Sequence, residues 1–303
     1  MKIAVIGSEG QLGVELMKDG ERRGWSMLGL AHGDSFHPEE RLIEIELFAN
    51  VDAALTACWY EGNGLDAVIN TAAYHDMRKC KEHPIRAWGT NFLGVMNLSD
   101  WCNGGSSEGV KFVQVSTDYV FDGKFSNRRP SSPLCPRDDD PYGGSKAAAE
   151  MFIRDVTKSY IIARVSTLFG VAGCRGKGGG NFVDTVLGKL EKEEQMNMSA
   201  DTLTSLSYAP DAASCVLDAI EQGVDKETIH AVNAGHASHF DIAHRVSNVA
   251  GHSHPRINPA YSVEFSRRSS LNPTQSMPLW QDAVARYIEE KKAHVSASGS
   301  CCS

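Results

Sequence analysis

The sequence predicts an α/β fold, a doubly wound parallel sheet with a smaller C-terminal lobe. Three observations carry this expectation. Short apolar runs alternate with amphipathic helical stretches up to about residue 170, a glycine-spaced loop follows the first run, and the pieces become shorter and more polar after 170.

"KIAVI" (2–6) reads as a buried strand, "QLGVELMKDGERRG" as a helix closed by Gly24, and "SMLGLA" as a second strand. The alternation continues through "LDAVIN" (65–70), a helical pair across 76–103, the strand "VKFVQVS" (110–116), a helix opening at Pro141 and the strand "YIIARVS" (160–166). Apolar strands alternating with helices require a sheet covered on both faces. Beyond residue 170 come the glycine-rich "GCRGKGGG" (173–180), a helix in "NFVDTVLGKLEKEE", a helix from Pro210 to Gln222 and a last helix in "LWQDAVARYIEEKKA". The expected division is a sheet domain over 1–170, a lobe over 171–294 partly interleaved with it and closing over its carboxyl edge, and a disordered tail over 295–303.

The 303 residues are 42% hydrophobic and 22% charged, ordinary for a globular chain, and the net charge of -8 argues against a general nucleic-acid or anionic-membrane surface. The first apolar run stops at Gly7, too short for a signal peptide or a membrane span, so a soluble, cytoplasmic protein is expected. Eight cysteines without CxxC spacing read as reduced thiols. The expected partner is a small molecule, and a homodimer is compatible with everything above.

"GSEGQLG" places Gly7, Gly10 and Gly13 directly after the first strand and at the mouth of the first helix. The first glycine permits a tight turn, the second lets backbone approach a pyrophosphate, and the third lets helix and strand pack closely. The helix N-terminus adds amide donors and positive potential. Within a strand, helix, strand unit this is a Rossmann-type dinucleotide signal rather than a structural turn. The second strand ends "LAHGD", with no acid at Ala31, a histidine at 32 and Asp34 late. That tilts the cofactor toward NADP, with NAD left open because no arginine stands nearby for a 2'-phosphate.

"DPYGGSK" puts Tyr142 and Lys146 on one face of a helix, a turn apart. A lysine ammonium beside a tyrosine favours the phenolate, which is expected to lower the phenol from about 10 toward neutrality for proton transfer. Lys146 can also reach a nicotinamide ribose. Ser116 and Thr117 in "VQVSTDYVFDG" finish an apolar strand, at the sheet edge where ligands bind. Thr117 can hold a substrate carbonyl for Tyr142. The pair Gly143 and Gly144 costs helix stability, and Gly143 is expected to leave room for cofactor and substrate. Gly144 has no such account. Of the histidines, "HASHFDIAH" offers no convergent tetrahedral metal set, so no metal is expected. Arg175 and Lys177 are placed on a loop over the substrate mouth, able to meet a diphosphate.

Together these segments resemble the extended short-chain dehydrogenase/reductases that act on nucleotide sugars, most closely the dTDP-4-dehydrorhamnose reductase group. The matching stretches are "IGSEGQLGVEL", "VINTAAYHDMRKCKEHP" followed by Asn91, "STDYVFDGKF", "PYGGSKAAAE", "ARVSTLFG" and "GNFVDTVL", spanning residue 1 to about 190. The resemblance implies a Thr117, Tyr142 and Lys146 catalytic trio that reduces the 4-keto group of a nucleoside-diphosphate sugar. It also implies a dinucleotide site lined by Gly10, Gln11, Leu12 and Gly13 with Ala72, Ala73 and Tyr74, and Asp118 beside the sugar. The sugar half departs from the pattern: Thr167 stands where tryptophan is common, "DTLTSLS" (201–207) replaces "DQxGxPT", and "FSRRSSLN" blurs an arginine-proline motif. Tyr119 in place of an acid disfavours dehydration. A nucleotide-sugar epimerase, or a dinucleotide-binding regulatory subunit like the methionine adenosyltransferase beta subunit, are the alternatives.

Overall fold

The computed structural model describes all residues except 33–41, 63, 105–108, 175–177, 254, 262–268 and 300–303. Its first half alternates β1 (Lys2–Ile6), α1 (Gln11–Arg22), β2 (Ser26–His32), β3 (Leu42–Ile43), α2 (Phe48–Gly62) and β4 (Ala67–Asn70). Next come α3 (Met77–Glu82), α4 (Pro84–Trp88) and α5 (Gly94–Asn103), the last two joined by a π-helical turn (Gly89–Leu93). β5 (Lys111–Thr117), α6 (Pro141–Val156) and β6 (Tyr160–Val165) follow. The second half holds β7 (Leu168–Phe169), α7 (Phe182–Glu191), β8 (Met196–Ser199), β9 (Leu203–Thr204), β10 (Ser207–Tyr208), α8 (Ala209–Glu221) and β11 (Glu227–His230). It ends with β12 (Ala237–Ser238), α9 (His239–Ala250), β13 (Ile257–Ala260) and α10 (Trp280–Gly299).

Seven strands form one parallel sheet in the order β11-β6-β5-β4-β1-β2-β3. The chain starts at β1, runs outward to β3, then crosses back to β4 and proceeds the other way. The strand order therefore reverses between β1 and β4, which pair from Ile3↔Ala67 to Ile6↔Asn70. At such a reversal the flanking loops diverge and leave a crevice outside the carboxyl ends of the strands.

Side chains of successive strand residues point to opposite faces, and both faces are apolar here. Ala4, Ile6, Val68, Phe112 and Ile162 join residues of α2, α5 and α6 on one side. Ile3, Val5, Ile69, Val113 and Ile161 join α1 and α8 on the other. Removing one such side chain from water contributes about 1.5–3 kcal/mol, so the double covering fixes the sheet. A third cluster, with Val183, Val186, Ile242, Val246, Val284 and Tyr287, packs α7, α9 and α10 together. β11 returns from this second half to pair with β6, so the two halves interleave.

Two expectations change. The helical pair across 76–103 is three helices with a π turn, and the tail expected to be disordered from Val295 continues as α10 to Gly299. The helix gains its hold upstream, where Ala283, Val284 and Tyr287 are buried. Among the described residues, no helix is long and apolar enough to cross a membrane.

Candidate active site

The glycine loop lies where the strand order reverses. Gly7 has φ +75°, and a Cβ there would fall 2.7 Å from Thr71 Oγ1, so the residue must be glycine on both counts. A Cβ on Gly13 would lie 2.1 Å from Gly7 O, which lets α1 begin directly against the loop. Gly10 differs in degree: its Cβ would meet only Gly7 O, at 3.1 Å, a tight contact but far milder than the one at Gly13. Gln11, Leu12 and Gly13 occupy the first turn of α1, whose amides have no helical acceptor. Gln11 is 7% exposed and its Nε2 finds no protein acceptor. An orphaned buried donor beside free amides and an unfilled glycine suits the phosphates of a dinucleotide.

The loop after β4 closes the other side. Ala72 N sits 3.1 Å from where a Gly7 Cβ would be, bringing Ala72 against the glycine loop, with Ala73 and Tyr74 next along the chain. Asn91, 1% exposed, clamps this loop: its Oδ1 accepts from Tyr74 N and its Nδ2 donates to Tyr74 O, each at 2.9 Å. Asn91 Nδ2 also donates to Ser145 Oγ at 3.2 Å, and Ser145 Oγ donates to Tyr142 O at 2.9 Å. Asn91 belongs to the π-helical turn, a deviation that recurs at functional sites.

Thr117 ends β5 and begins a short 3-10 turn (Asp118–Val120). It is 5% exposed; its Oγ1 accepts from Tyr119 N at 3.3 Å and donates to Asp118 Oδ1 at 3.2 Å. Asp118 is buried at 1% exposure. α6 starts because Asp140 caps it, accepting from Tyr142 N at 3.1 Å, and because Pro141 sits at its first position. That start puts Tyr142 beside Thr117, with the Tyr119 ring edge-on at 5.6 Å. Lys146, one turn on and 3% exposed, donates from Nζ to the Val115 carbonyl at 2.6 Å.

The electrostatics depart from the sequence expectation. Burial pushes the Tyr142 phenol up, a hydrogen bond with Thr117 opposes this, and the phenol remains well above its usual range. Burial lowers Lys146 to about 8, with Glu150 acting in the other direction. Lys146 does not pull the phenol down: desolvation dominates the shift, and the ammonium is engaged with the Val115 carbonyl. The shift keeps the proton on the phenol and makes it a weaker acid.

Beneath the lysine lies a network that motif reading missed. Glu150, one further turn along α6, is fully buried; it accepts from Ser116 Oγ at 2.6 Å and from Arg154 Nη2 at 2.7 Å. Arg164 of β6, also fully buried, grips both Glu150 oxygens, at 2.9 and 2.7 Å. Burial, the largest single influence, would raise the carboxyl, but the hydrogen bonds and charge of Arg164 together with Ser116 and Arg154 outweigh it and hold Glu150 below its ordinary value. His230 Nε2 stands 3.2 Å from Arg164 Nη1; burial, then the Arg164 charge, lower it to about 4. The i, i+4 step from Lys146 to Glu150 was the one signal available in sequence.

Gly143 is explained differently from the expectation. Its Cβ would fall 2.4 Å from Tyr119 O, so the space is taken by the 3-10 turn of the chain itself rather than by an arriving ligand. A Cβ on Gly144 would meet only Trp88, at 3.8 Å, an ordinary contact. Thr167 is held at φ +30° with its Oγ1 2.8 Å from Thr204 Oγ1, so hydroxyls occupy the carboxyl end of β6. Two histidines of "HASHFDIAH" pack on rings: His239 on Phe182 at 4.9 Å and His244 on Phe240 at 4.4 Å. Arg175, Lys177 and Asp34 lie outside the described residues.

A parallel sheet with a glycine-cradled reversal point and a tyrosine-lysine helix beside β5 places this molecule among the extended short-chain dehydrogenase/reductases of nucleotide sugars. Within that class, the chain belongs to the family described as RmlD substrate binding domain, whose profile matches residues 1–292. It is 26% identical to the spore coat polysaccharide biosynthesis protein SpsK of Bacillus subtilis, over 96% of this chain and 98% of that one. It is 28% identical to the dTDP-4-dehydrorhamnose reductase of Mycobacterium tuberculosis, over 94% of this chain and 87% of that one. Among solved structures, the Bacillus anthracis dTDP-4-dehydrorhamnose reductase in complex with NADP superposes with a TM-score of 0.80, at 24% identity, covering 96% of this chain and 99% of that one.

Proposed function

We propose that the chain is an NADPH-dependent reductase of a 4-keto nucleoside-diphosphate sugar, with dTDP-4-dehydrorhamnose as the reference substrate. The observation that carries the reading is the meeting of Thr117, at the carboxyl end of β5, with Tyr142, one helical turn before Lys146 on α6. Gly7, Gly10, Gln11, Leu12, Gly13, Ala72, Ala73 and Tyr74 would hold the dinucleotide, with Lys146 and Tyr142 at its nicotinamide end. NADP is favoured over NAD because β2 ends in Ala31 and His32, without a carboxylate for a free 2'-hydroxyl.

When bound, the dinucleotide supplies the hydride. Thr117 orients the substrate carbonyl, and Tyr142 delivers the phenolic proton to its oxygen, completing the alcohol. Lys146 has three donors and uses one on Val115 O, leaving two for ribose hydroxyls and for the phenolate as it forms. Its proximity offsets the charge left on Tyr142. Asp118 is assigned to the sugar, and the proposed location is the cytoplasm.

The test is NADPH absorbance in the presence of a panel of 4-keto sugar nucleotides. Stoichiometric loss of NADPH supports a reductase, and product without net loss indicates an epimerase. Dinucleotide binding with no turnover on any member overturns the catalytic reading in favour of a binding subunit.

A further inference from the structure

His75 follows Tyr74 in the loop leaving β4, and Cys174 lies in the loop following β7. His75 Nε2 is 3.1 Å from Cys174 Sγ, and His75 Nδ1 is 3.1 Å from Ala73 O. A carbonyl oxygen only accepts, so in the neutral ring Nδ1 carries the proton and Nε2 is the acceptor. The thiol is therefore the donor, with a base on its proton and a carbonyl orienting the base. That order of groups is the one that activates a nucleophile.

Both partners are anchored. Asn91 clamps Tyr74 on one side of His75, and Asp76 on the other caps α3 by accepting from Arg78 N at 3.0 Å. Cys174 O accepts from Gly179 N at 2.9 Å, and a Cβ on Gly173 would lie 1.9 Å from Gly179 O, so Gly173 and Cys174 are held against Gly179. The loop after β7 packs on the mouth of α1, since a Cβ on Gly170 would meet Gln11 Cγ at 3.3 Å. The contact thus joins the loops on either side of the crevice.

We propose that Cys174 and His75 form an activated-thiol site that takes low-molecular-weight disulfides. The thiol proton passes to His75 Nε2, and the thiolate attacks one sulfur of the disulfide. A Sγ–S bond forms as the original S–S bond breaks, and the departing thiolate takes the proton back from His75.

The other described cysteines are differently placed. Cys58, Cys80, Cys102 and Cys215 are buried. Burial pushes the thiols of Cys80 and Cys215 up to about 11 and about 12. Cys135 accepts from Arg128 Nη2 at 3.3 Å, but that nitrogen also donates to Asp122 Oδ1, at 3.3 Å, which offsets its charge.

The experiment exposes the full chain to glutathione disulfide under native conditions and follows each adduct by peptide mass spectrometry. Cys174 is expected to react at least about tenfold faster than Cys135, and His75→Asn to remove that advantage while leaving Cys135 unchanged. Equal rates at Cys174 and Cys135 in the unaltered protein overturn the proposal, whether or not the variant folds. So does a folded His75→Asn protein in which Cys174 reacts as before.

Discussion

Lys146 gives its hydrogen bond to the carbonyl of Val115, at 2.6 Å, and lies one helical turn from both Tyr142 and Glu150. The ammonium is therefore anchored to the strand that carries Thr117, between the proposed proton donor and a buried carboxylate. Burial lowers it to about 8 from an ordinary 10.5, and Glu150 opposes the shift.

A pH dependence follows with a definite sign. The ammonium is lost as pH rises through about 8, so kcat/KM should fall on the alkaline side near that value. Glu150→Gln removes a charge that favours the ammonium, and the descending limb should move to lower pH. For stability the sign is opposite: between about 8 and 10.5 the unfolded chain holds more protons at this site, so Lys146 makes stability rise with pH across that window. Steady-state pH profiles and denaturation at several pH values check the two halves separately.

The Glu150–Arg164 pair has both partners at 0% exposure. Removing one partner leaves an uncompensated buried charge, which typically costs about 3–5 kcal/mol. Glu150→Ala should therefore lower the unfolding free energy by about that amount in chemical denaturation, far more than Glu82→Ala, since the Glu82 carboxylate meets Arg78 on the surface.

The two glycines before Lys146 should respond in opposite directions. Gly144→Ala adds a methyl that meets only Trp88, at an ordinary 3.8 Å, and is expected to stabilise the helix by roughly 0.5–1 kcal/mol. Gly143→Ala drives a methyl against the Tyr119 carbonyl, 2.4 Å away, and should destabilise and displace the 3-10 turn that begins at Asp118. Thermal melts of both variants decide the matter.

Gly10 separates folding from binding. Its Cβ would come to 3.1 Å from Gly7 O, a contact that a small shift of the loop relieves, so Gly10→Ala should lower the melting temperature far less than Gly13→Ala. It should weaken NADPH by about tenfold or more, because the methyl stands where the pyrophosphate must approach. Gly13→Ala, with 2.1 Å to Gly7 O, should damage folding as well. Fluorescence titration beside a melt distinguishes them.

The parallel sheet was legible because each of its main strands is an apolar run long enough to register, from "KIAVI" to "YIIARV". Two-residue strands such as β7, β9, β10 and β12 carry no periodicity, and their pairing depends on contacts distant in sequence. Tyr142 and Lys146 were legible as a spacing, but their protonation was not, since burial sets it and burial is a property of the whole fold. Gly143 likewise could be seen as necessary in sequence, while the neighbour that makes it so, Tyr119 O, is 24 residues away by numbering (143 minus 119).

The central claim is that Tyr142 donates the proton, and single-turnover NADPH oxidation by Tyr142→Phe with a 4-keto sugar nucleotide tests it most directly. The account predicts a loss of about 10²–10⁴-fold in rate with NADPH affinity nearly unchanged. Turnover retained within a few-fold of the unaltered protein would contradict it.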